Sequence, residues 1–478
     1  MQALLALDQG THASRACIYD AEGTLCATHT VPVATRHVDA QRVEQDADEL
    51  QASLHGAACA AFDAARAAQP ALQLCAAGLA VQRSTIVCCT RAGTPLGPAL
   101  SWLDRRHAEW LRTLAPHETR IRELTGLPLS PHYGASKLRW CVDQLPAVGA
   151  AAQRDDLLAA PLAAFLALRL AGAPARVDPA NAARTLLLDT RLLDWSDELL
   201  GLFDLRRDWL PRCAHTHADY GTLDIRGEAV ALRAVTGDQS AMPFASGPPD
   251  LHTLYVNLGT GAFLQRKVAA RPAHPAPLLG SVLYSDAVGA HYTLEGTVNG
   301  AGSAVSWYCA SEGLDETSLW QALESLDDRV PLPLFINGIG GLGSPWWQAQ
   351  LPSRFVGTGN ALERFAALVE SIAFLIAINA EVMAQQATPA RALLLAGGMS
   401  RSSWLCRRLA ALLQLPITVL EAEATARGVA ALAAPEWAAR WPAAARAQHQ
   451  AQTAQPALQA RFLAFRDQLA AAVRESAR

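Results

Sequence analysis

The sequence lacks an excess of charge and an unbroken apolar run, and each absence excludes a class of partner. Its 478 residues carry 40 basic and 44 acidic side chains, for a formal net charge of −4. Without a basic excess there is no electrostatic footprint for nucleic acid, so we expect no such partner. The longest apolar stretch, residues 157–174, is interrupted by Pro161 and Arg169. This stretch is predicted to be a core helix, and no membrane partner is expected.

Cysteine pairs of the metal-binding or redox type are also missing. None of the ten cysteines forms a C-x-x-C pair, and Cys88 and Cys89 are adjacent, which rules out tetrahedral metal spacing. No secretory signal peptide is recognised. The remaining cysteines lie mostly in apolar runs, for example Cys17, Cys59, Cys75, Cys141 and Cys406. We therefore expect buried thiols in a reducing cytoplasm.

Several common catalytic motifs do not occur. The sequence has no Walker A motif, no H-E-x-x-H, no EF-hand loop and no G-x-S-x-G. "GIGGLG" (residues 338–343) matches the spacing of a dinucleotide-binding turn, but "SPWWQAQLPS" follows it where that motif needs a helix. We therefore reject it as a dinucleotide site.

The first chemically suggestive stretch is "DQGTHASR", residues 8–15, between two apolar strand patterns. Gly10 permits a sharp reversal, so a hairpin tip is predicted. Thr11 and Ser14 could bind phosphate there, Asp8 could hold a metal ion, and Arg15 could meet an anion. An ordinary polar hairpin is an equal alternative for this turn taken alone.

A second glycine-containing hairpin tip is predicted about halfway along the chain. "TLYVNLGTGAFLQRKV" (residues 253–268) predicts a hairpin whose tip is Gly259–Thr260–Gly261, and "LLLAGGMS" (residues 393–400) places Gly397 and Gly398 between a strand and a helix. A chain of 478 residues is too long for one core, since single cores stop growing at about 250 to 300 residues. Two similar α/β domains facing each other across a cleft are therefore predicted.

Nine segments, in order, resemble the motifs of the FGGY carbohydrate kinases. They are "LLALDQGTHASRACIYDAEG", "GLAVQRSTIV", "PALSWLDRR", "VDPANAARTLLLDTRLLDWSDELL", "VTGDQSAM", "NLGTGAF", "YTLEGTVNGAGSAVSWY", "LFINGIGGLGSPWW" and "LLLAGGMS". The resemblance runs from residue 1 to about residue 435. It implies an α/β fold of two ribonuclease-H-like domains, of the actin and sugar-kinase superfamily, hinged around a nucleotide cleft. It also implies ATP and Mg²⁺ as cofactors, a small sugar or polyol as substrate, and a homodimer.

The family's functional residues can be carried over by motif. Asp238 in "TGDQSA" corresponds to the catalytic base, although a surface aspartate in a turn is the ordinary reading without the other motifs. Asp8 corresponds to the Mg²⁺ ligand. The resemblance assigns nucleotide binding to Thr11, Ser14, Arg15, Gly259, Thr260, Gly302, Gly397 and Gly398. It assigns the substrate to Arg83, Ser84, Trp102, Asp104, His132, Tyr133, Asp238, Gln239 and Phe263.

The substrate segment departs from the glycerol-kinase branch of the family. That branch has Gln-Arg-Glu-Thr where this sequence has "QRST", so Ser84 replaces a glutamate that holds glycerol hydroxyls. Its tyrosine corresponds to His132, beside Tyr133. A serine cannot supply the two acceptor oxygens of a carboxylate, and Asp104 could replace them. We therefore expect a ketopentose such as xylulose or ribulose, with glycerol as the alternative.

Two other classes of protein stay open at this point, a catalytically silent sugar sensor or scaffold and a nucleotide-driven chaperone or filament protein. The predicted domains are residues 1–242, 243–435 and an Ala-rich tail, 436–478. In the tail, an apolar pattern at Leu458, Phe462, Phe465 and Leu469 predicts one docking helix.

Overall fold

The computed structural model describes residues 1–327, 330–453 and 455–476. They form two α/β parts, each built on a large mixed sheet. The strands of the first part are β1 (Gln2–Gln9), β2 (Ala13–Asp20), β3 (Leu25–Pro32), β4 (Arg36–His37), β5 (Val43–Gln45), β6 (Gln73–Val81), β7 (Ile86–Thr90), β8 (Ala99–Leu100), β9 (Leu157–Pro161), β10 (Arg176–Val177), β11 (Leu188–Asp189), β12 (Asp194–Trp195), β13 (Arg212–Cys213), β14 (Thr222–Ile225) and β15 (Glu228–Gly237).

Its helices are α1 (Ala47–Ala68), α2 (Ala108–Arg112), α3 (Glu118–Thr125), α4 (Gly134–Gln144), α5 (Pro146–Gln153), α6 (Leu162–Ala171), α7 (Pro179–Ala183), α8 (Asp197–Leu202) and α9 (Asp238–Ala241). The central sheet has the order β14-β15-β6-β1-β2-β3. β1, β6 and β15 run parallel, and β2 returns antiparallel beside β1. The predicted hairpin of β1 and β2 is therefore confirmed.

The second part has strands β16 (Thr253–Leu258), β17 (Ala262–Val268), β18 (Leu279–Asp286), β19 (Gly289–Val298), β20 (Leu334–Ile336), β21 (Arg354–Val356), β22 (Ala392–Ala396), β23 (Ile417–Leu420) and β24 (Ala445–His449). Its helices are α10 (Gly302–Glu312), α11 (Glu316–Glu324), α12 (Ala361–Ala384), α13 (Ser403–Leu413), α14 (Ala424–Ala433), α15 (Pro435–Ala438) and α16 (Pro456–Ser476). The sheet order is β18-β19-β17-β16-β22-β23-β24. The second predicted glycine hairpin, β16 with β17, is also confirmed.

The two parts share a packed interface. On β1, Leu4 and Ala6 point to the face that α14 covers, while Leu5 and Leu7 point to the core under α1. The alternation of strand side chains thus buries β1 on both faces. α14 fits so closely that a Cβ added at Gly428 would lie 1.9 Å from the Ala241 carbonyl oxygen.

Two sequence expectations need correction. Residues 157–161 form strand β9, so only the second half of the apolar stretch is the core helix α6. The helix begins at Leu162, directly after Pro161, which is its N-cap residue. Cys75 is exposed, whereas Cys17, Cys59, Cys141 and Cys406 are buried. Among the described residues, α12 is the single helix long and apolar enough to cross a membrane, and most of it is buried in the core of the second part.

The tail completes the second part. β24 pairs antiparallel with β23 and becomes the outermost strand of the sheet. α16 then packs on α12 through Leu458, Phe462, Phe465 and Leu469, the residues of the apolar pattern in the sequence. Just before β24, Trp441 Nε1 donates a hydrogen bond of 3.0 Å to the Ala21 carbonyl of the first part. The tail thus contacts both parts.

Candidate active site

The turn between β1 and β2 holds Thr11 in a defined orientation. The indole Nε1 of Trp102 donates to the Thr11 hydroxyl at 2.8 Å. The Thr11 carbonyl accepts hydrogen bonds from Gln45 and Thr35. A hydroxyl that accepts from an indole keeps its own hydrogen to donate elsewhere. Thr11 is therefore fixed as a donor, which suits a phosphate oxygen.

Ser14, expected to bind phosphate, lies on the wrong face of β2. Its side chain is fully buried and bonds to Gln9 Oε1 at 2.9 Å and to Ser53 Oγ at 2.7 Å. Strand side chains alternate, so Ser14 shares the inner face with Ala16, while Arg15 points the other way. The prediction for Ser14 is wrong for this reason.

Arg15 was expected to contact an anion, and in this structure its partner is a carboxylate of the protein itself. Its guanidinium forms an ion pair of 2.6 Å with Glu423, at the start of α14. Both side chains line an open cavity of about 320 Å³ together with Asp8, Gly397 and Gly398. The cavity lies between the two parts of the chain, where a nucleotide cleft was predicted.

Asp238, the predicted base, begins α9 at the end of β15. Its Oδ1 accepts the Gln239 amide hydrogen at 2.7 Å and lies 4.0 Å from Arg83 Nε. Burial raises the pKa of Asp238, while Arg83 lowers it. Burial and the neighbouring Asp238 carboxylate raise the pKa of Asp8 to about 7. Asp8 lines the cavity, Asp238 lies beside Arg83, and the two carboxylates interact electrostatically as a pair.

This pair fits a divalent cation. Two nearby carboxylates repel each other, and a bound cation would relieve the repulsion and keep both ionised. No cluster of three or more His, Cys, Asp or Glu ligands is found within residues 1–327, 330–453 and 455–476. Mg²⁺ needs no such cluster, because it is usually held by one or two carboxylates, waters and substrate phosphates.

Behind Asp238 lies a buried charge network that the sequence did not single out. Arg83 Nη1 and Nη2 donate to the two oxygens of Glu295 at 2.9 and 3.0 Å, and Arg184 also pairs with Glu295. Burial disfavours the carboxylate, but Arg184 and Arg83 outweigh it and lower the pKa of Glu295 to about 2. Glu295 lies on β19, so this network ties the first part to the second and fixes the Arg83 guanidinium beside Asp238.

A signal for this network was present in the sequence. Arg184 and Glu295 lie in the quoted segments "ANAARTLLL" and "YTLEGTV", where charged residues interrupt buried runs. A charge in such a place is costly unless it is paired. The partners could not be named, however, because they lie 111 residues apart in sequence.

Ser84 lies next to this network in an unusual backbone conformation. Its φ is 66°, and Lys137 Nζ donates to its carbonyl oxygen at 2.9 Å. The residue is 5% exposed, and its Oγ has no hydrogen-bond partner among the described residues. A buried hydroxyl without a partner costs about 1 to 3 kcal/mol. The Ser84 hydroxyl is thus left without a hydrogen bond among the described residues.

Asp104 is not available to a substrate. It is fully buried, and its carboxylate pairs with Arg106 and accepts the Val43 and Arg106 amide hydrogens. Both of its oxygens are engaged in hydrogen bonds that hold the loop before α2 in place. The prediction that Asp104 replaces the missing glutamate as a hydroxyl acceptor is therefore wrong.

Aromatic rings accompany the polar groups. His132 makes edge contacts with Trp102 and Tyr133, at centroid distances of 5.8 and 5.0 Å. Burial and the nearby Arg105 hold the pKa of His132 well below its ordinary value, so the imidazole is neutral at pH 7. Arg184 lies over the Tyr133 ring. Phe263 is half-buried on β17, with its ring edge toward Gly261.

The second glycine turn is braced by the start of α10. Gly302 donates its amide hydrogen to the Gly259 carbonyl at 3.0 Å, and Ser303 donates to the Thr260 carbonyl. Gly259 and Thr260 remain exposed. Gly397 has a φ of 93°, and a Cβ there would lie 2.3 Å from the Leu258 carbonyl oxygen. The turns that follow β16 and β22 therefore pack against each other.

Gln239 connects Asp238 to this second part. Its Oε1 accepts from Asn257 on β16 at 3.3 Å, and its carbonyl accepts from Gln265 on β17 at 2.7 Å. Among the residues predicted for the site, Asp8, Thr11, Arg83, Ser84 and Asp238 thus lie on the first part, and Gln239 joins them to the second.

The comparisons with known proteins agree with this arrangement. The profile of the FGGY family of carbohydrate kinases, N-terminal domain, matches residues 3–251, and that of the C-terminal domain matches residues 254–437. A glycerol kinase of Citrifermentans bemidjiense is 33% identical over 451 residues, which cover 91% of this chain and 90% of the relative. A glycerol kinase of Alkalilimnicola ehrlichii is 34% identical over 449 residues, with 91% and 90% coverage.

Solved structures share the fold. The crystal structure of Plasmodium falciparum glycerol kinase with ADP superposes with a TM-score of 0.88 at 19% identity, covering 99% of this chain and 98% of that one. A ligand-bound xylulose kinase from Lactobacillus acidophilus gives 0.82 at 18% identity, with 98% and 97% coverage. The two-domain fold of the sugar-kinase superfamily is therefore confirmed. The chain belongs to the FGGY family of carbohydrate kinases and is a phosphotransferase that acts on an alcohol group.

Proposed function

We propose that the protein transfers the terminal phosphate of ATP to a hydroxyl of a small polyol, with glycerol as the first candidate. The observation that carries this proposal is the position of Asp238. It adjoins Asp8, which lines the interdomain cavity, and Arg83, which adjoins the unpaired Ser84 hydroxyl. A base between a phosphate site and an acceptor site is what phosphoryl transfer to an alcohol requires.

The roles of the residues follow from that position. Asp238 accepts the proton of the attacking hydroxyl, and its raised pKa brings it closer to neutral pH, where a general base is most effective. Thr11 and Thr260 donate hydrogen bonds to phosphate oxygens from the two glycine turns, and Gly259, Gly302, Gly397 and Gly398 allow the close approach. Mg²⁺, held by Asp8, would neutralise phosphate charge.

Glycerol comes first for two reasons. A ketopentose was expected because Asp104 could accept its hydroxyls, but the Asp104 carboxylate is paired with Arg106. The relatives at 33% and 34% identity are glycerol kinases. Arg83, Trp102, Gln239 and Phe263 also match the glycerol-kinase pattern.

A ketopentose is the second candidate, favoured by Ser84 and His132. Both are residues that differ from the glycerol-kinase pattern, and the Ser84 hydroxyl has no partner among the described residues. A serine leaves more room than a glutamate and offers one hydroxyl instead of a carboxylate. A longer substrate could use that room.

An acceptor panel tests the proposal. The kcat/KM of the natural protein would be measured from ADP release with glycerol, D-xylulose, L-xylulose, D-ribulose and L-ribulose. We expect glycerol to be the best of the five. Ser84→Glu should increase the preference for glycerol by roughly tenfold to a hundredfold, the size of one buried polar contact, whereas Ser84→Ala should not. A ketopentose preferred by tenfold or more would favour the second candidate instead.

A further inference from the structure

Arg446 lies at the nucleotide cleft but comes from outside the part of the chain that the family profiles match. The second profile ends at residue 437. Arg446 is the second residue of β24, the tail strand that extends the sheet of the second part. It nevertheless lines the interdomain cavity with Asp8, Gly397 and Gly398.

The position of β24 in the sheet explains how a tail residue reaches the cleft. β16, β22 and β23 run parallel, and the turns after them carry Thr260, Gly397 and Glu421. The start of β24 lies beside the end of β23, because Ala445 pairs with Leu420 and Glu421 donates to the Ala444 carbonyl. Ligands of open α/β sheets bind at the carboxyl ends of the parallel strands. Arg446 stands at that edge.

The same geometry indicates which part of a nucleotide Arg446 would meet. β24 is three strands away from β16, and three spacings of about 4.8 Å amount to roughly 14 Å. The phosphates belong to the turns after β1 and β16. A side chain displaced that far along the edge is beside the nucleoside end.

The side chain of Arg446 has no hydrogen bond or ion pair with any of the described residues. The same holds for the side chain of Arg401, a second arginine that lines the cavity. Arg401 belongs to the turn after Gly397 and Gly398, on the neighbouring strand connection. A planar guanidinium can stack on a base or donate to ribose hydroxyls.

We propose that Arg446 binds the nucleoside part of the nucleotide, with Arg401 beside it, so that the tail strand completes the nucleotide site. This inference rests on the proposed ATP-dependent function. The ligand class is a purine nucleoside diphosphate or triphosphate. Arg446 acts on binding, because the cavity that it lines includes neither Asp238 nor Ser84 in its lining.

The test compares Arg446→Ala and Arg446→Lys with Gln448→Ala. Gln448 is an exposed residue of β24 that does not line the cavity, so its variant reports any general loss of strand pairing. ADP affinity would be measured by titration calorimetry without acceptor, and KM values for ATP and acceptor by ADP release. We expect Arg446→Ala to weaken ADP binding and raise KM for ATP by about threefold to tenfold, at unchanged kcat and acceptor KM. The ADP affinity of Arg446→Lys should lie between those of Arg446→Ala and the natural protein, since a lysine keeps the charge but loses the planar group.

The outcomes separate this inference from the proposed function. ADP affinity of Arg446→Ala within twofold of the natural protein would overturn the role of Arg446 alone. An equal loss in Gln448→Ala would also overturn it, because strand pairing would then be the cause. A natural protein that binds no ADP would overturn both proposals. The last control is the affinity of inorganic tripolyphosphate, measured by competition against ADP. Tripolyphosphate has no nucleoside part, so its affinity should be the same in all variants.

Discussion

Glu295 affects the reactivity of Asp238 through the arginines that lie between them. It is buried with two arginines, and one of them, Arg83, lies 4.0 Å from the Asp238 carboxylate. Without Glu295, the two guanidiniums would have one remaining carboxylate nearby and would draw Asp238 into an ion pair. A base held in an ion pair is weaker. Glu295 is therefore expected to keep Asp238 reactive by neutralising the arginines behind it.

Glu295→Gln tests this electrostatic role. Removing one charge from a buried network typically costs about 3 to 5 kcal/mol of stability, whereas an exposed pair is worth less than about 1 kcal/mol. We expect Glu295→Gln to lower the melting temperature at pH 7, and the control Glu381→Gln, in an exposed pair with Arg466, to leave it nearly unchanged.

The pH dependence of the same variant provides a second readout. The pKa of Glu295 is lowered from 4.5 to about 2, so its contribution is present above pH 4.5 and is lost as the pH falls toward 2. The difference in melting temperature between the natural protein and Glu295→Gln should narrow over that range. A difference that stays constant from pH 7 to pH 3 would contradict the assigned charge state.

At the scale of single elements, the two glycine turns are the proposed phosphate site. Each is a hairpin tip whose hydroxyl residue is held from outside, Thr11 by the Trp102 indole and the Thr260 turn by Gly302 and Ser303. Because the Trp102 bond links the turn to the acceptor segment, the two substrates are expected to be positioned together.

Thr11→Val and Thr260→Val should each raise the KM for ATP by roughly tenfold, the value of one hydrogen bond to a charged group, and Thr260→Val should do so with little change in acceptor KM. Valine keeps the shape and removes only the hydroxyl. Thr317→Val, at an exposed position of α11, is the matched control. Steady-state kinetics with each substrate varied in turn would check this. If acceptor KM alone rises, the turns do not hold the phosphates.

The elements also show how far the sequence predicts this site. The hairpins and the strand before Gly397 were predicted correctly because their signals are local: apolar runs flanking glycine. The roles of Ser14 and Asp104 were predicted wrongly, because these depend on which face of the sheet a residue occupies and on which charge packs beside it. Arg446 was missed because pairing of β24 with β23 brings a remote tail to the cleft.

At the scale of the whole molecule, the chain is two sheets joined through α14 and the tail. α14 belongs to the second part but packs on β1 and β6 of the first, and Arg427 on α14 bonds to the Ala245 and Pro442 carbonyls and to Gly23. The cavity lies beside this joint, and Asp8 is one of its lining residues. Motion about the joint would change the distance between the two phosphate turns and exclude water from the site.

The most direct test of the account is the turnover of Asp238→Asn with ATP, Mg²⁺ and glycerol, measured as ADP release beside ADP affinity from calorimetry. Asparagine preserves the size of the side chain and cannot accept the proton. The account predicts turnover lower by about a hundredfold or more, the scale of a lost general base, at ADP affinity within twofold of the natural protein. Turnover comparable to the natural protein would contradict the assignment of Asp238 as the base.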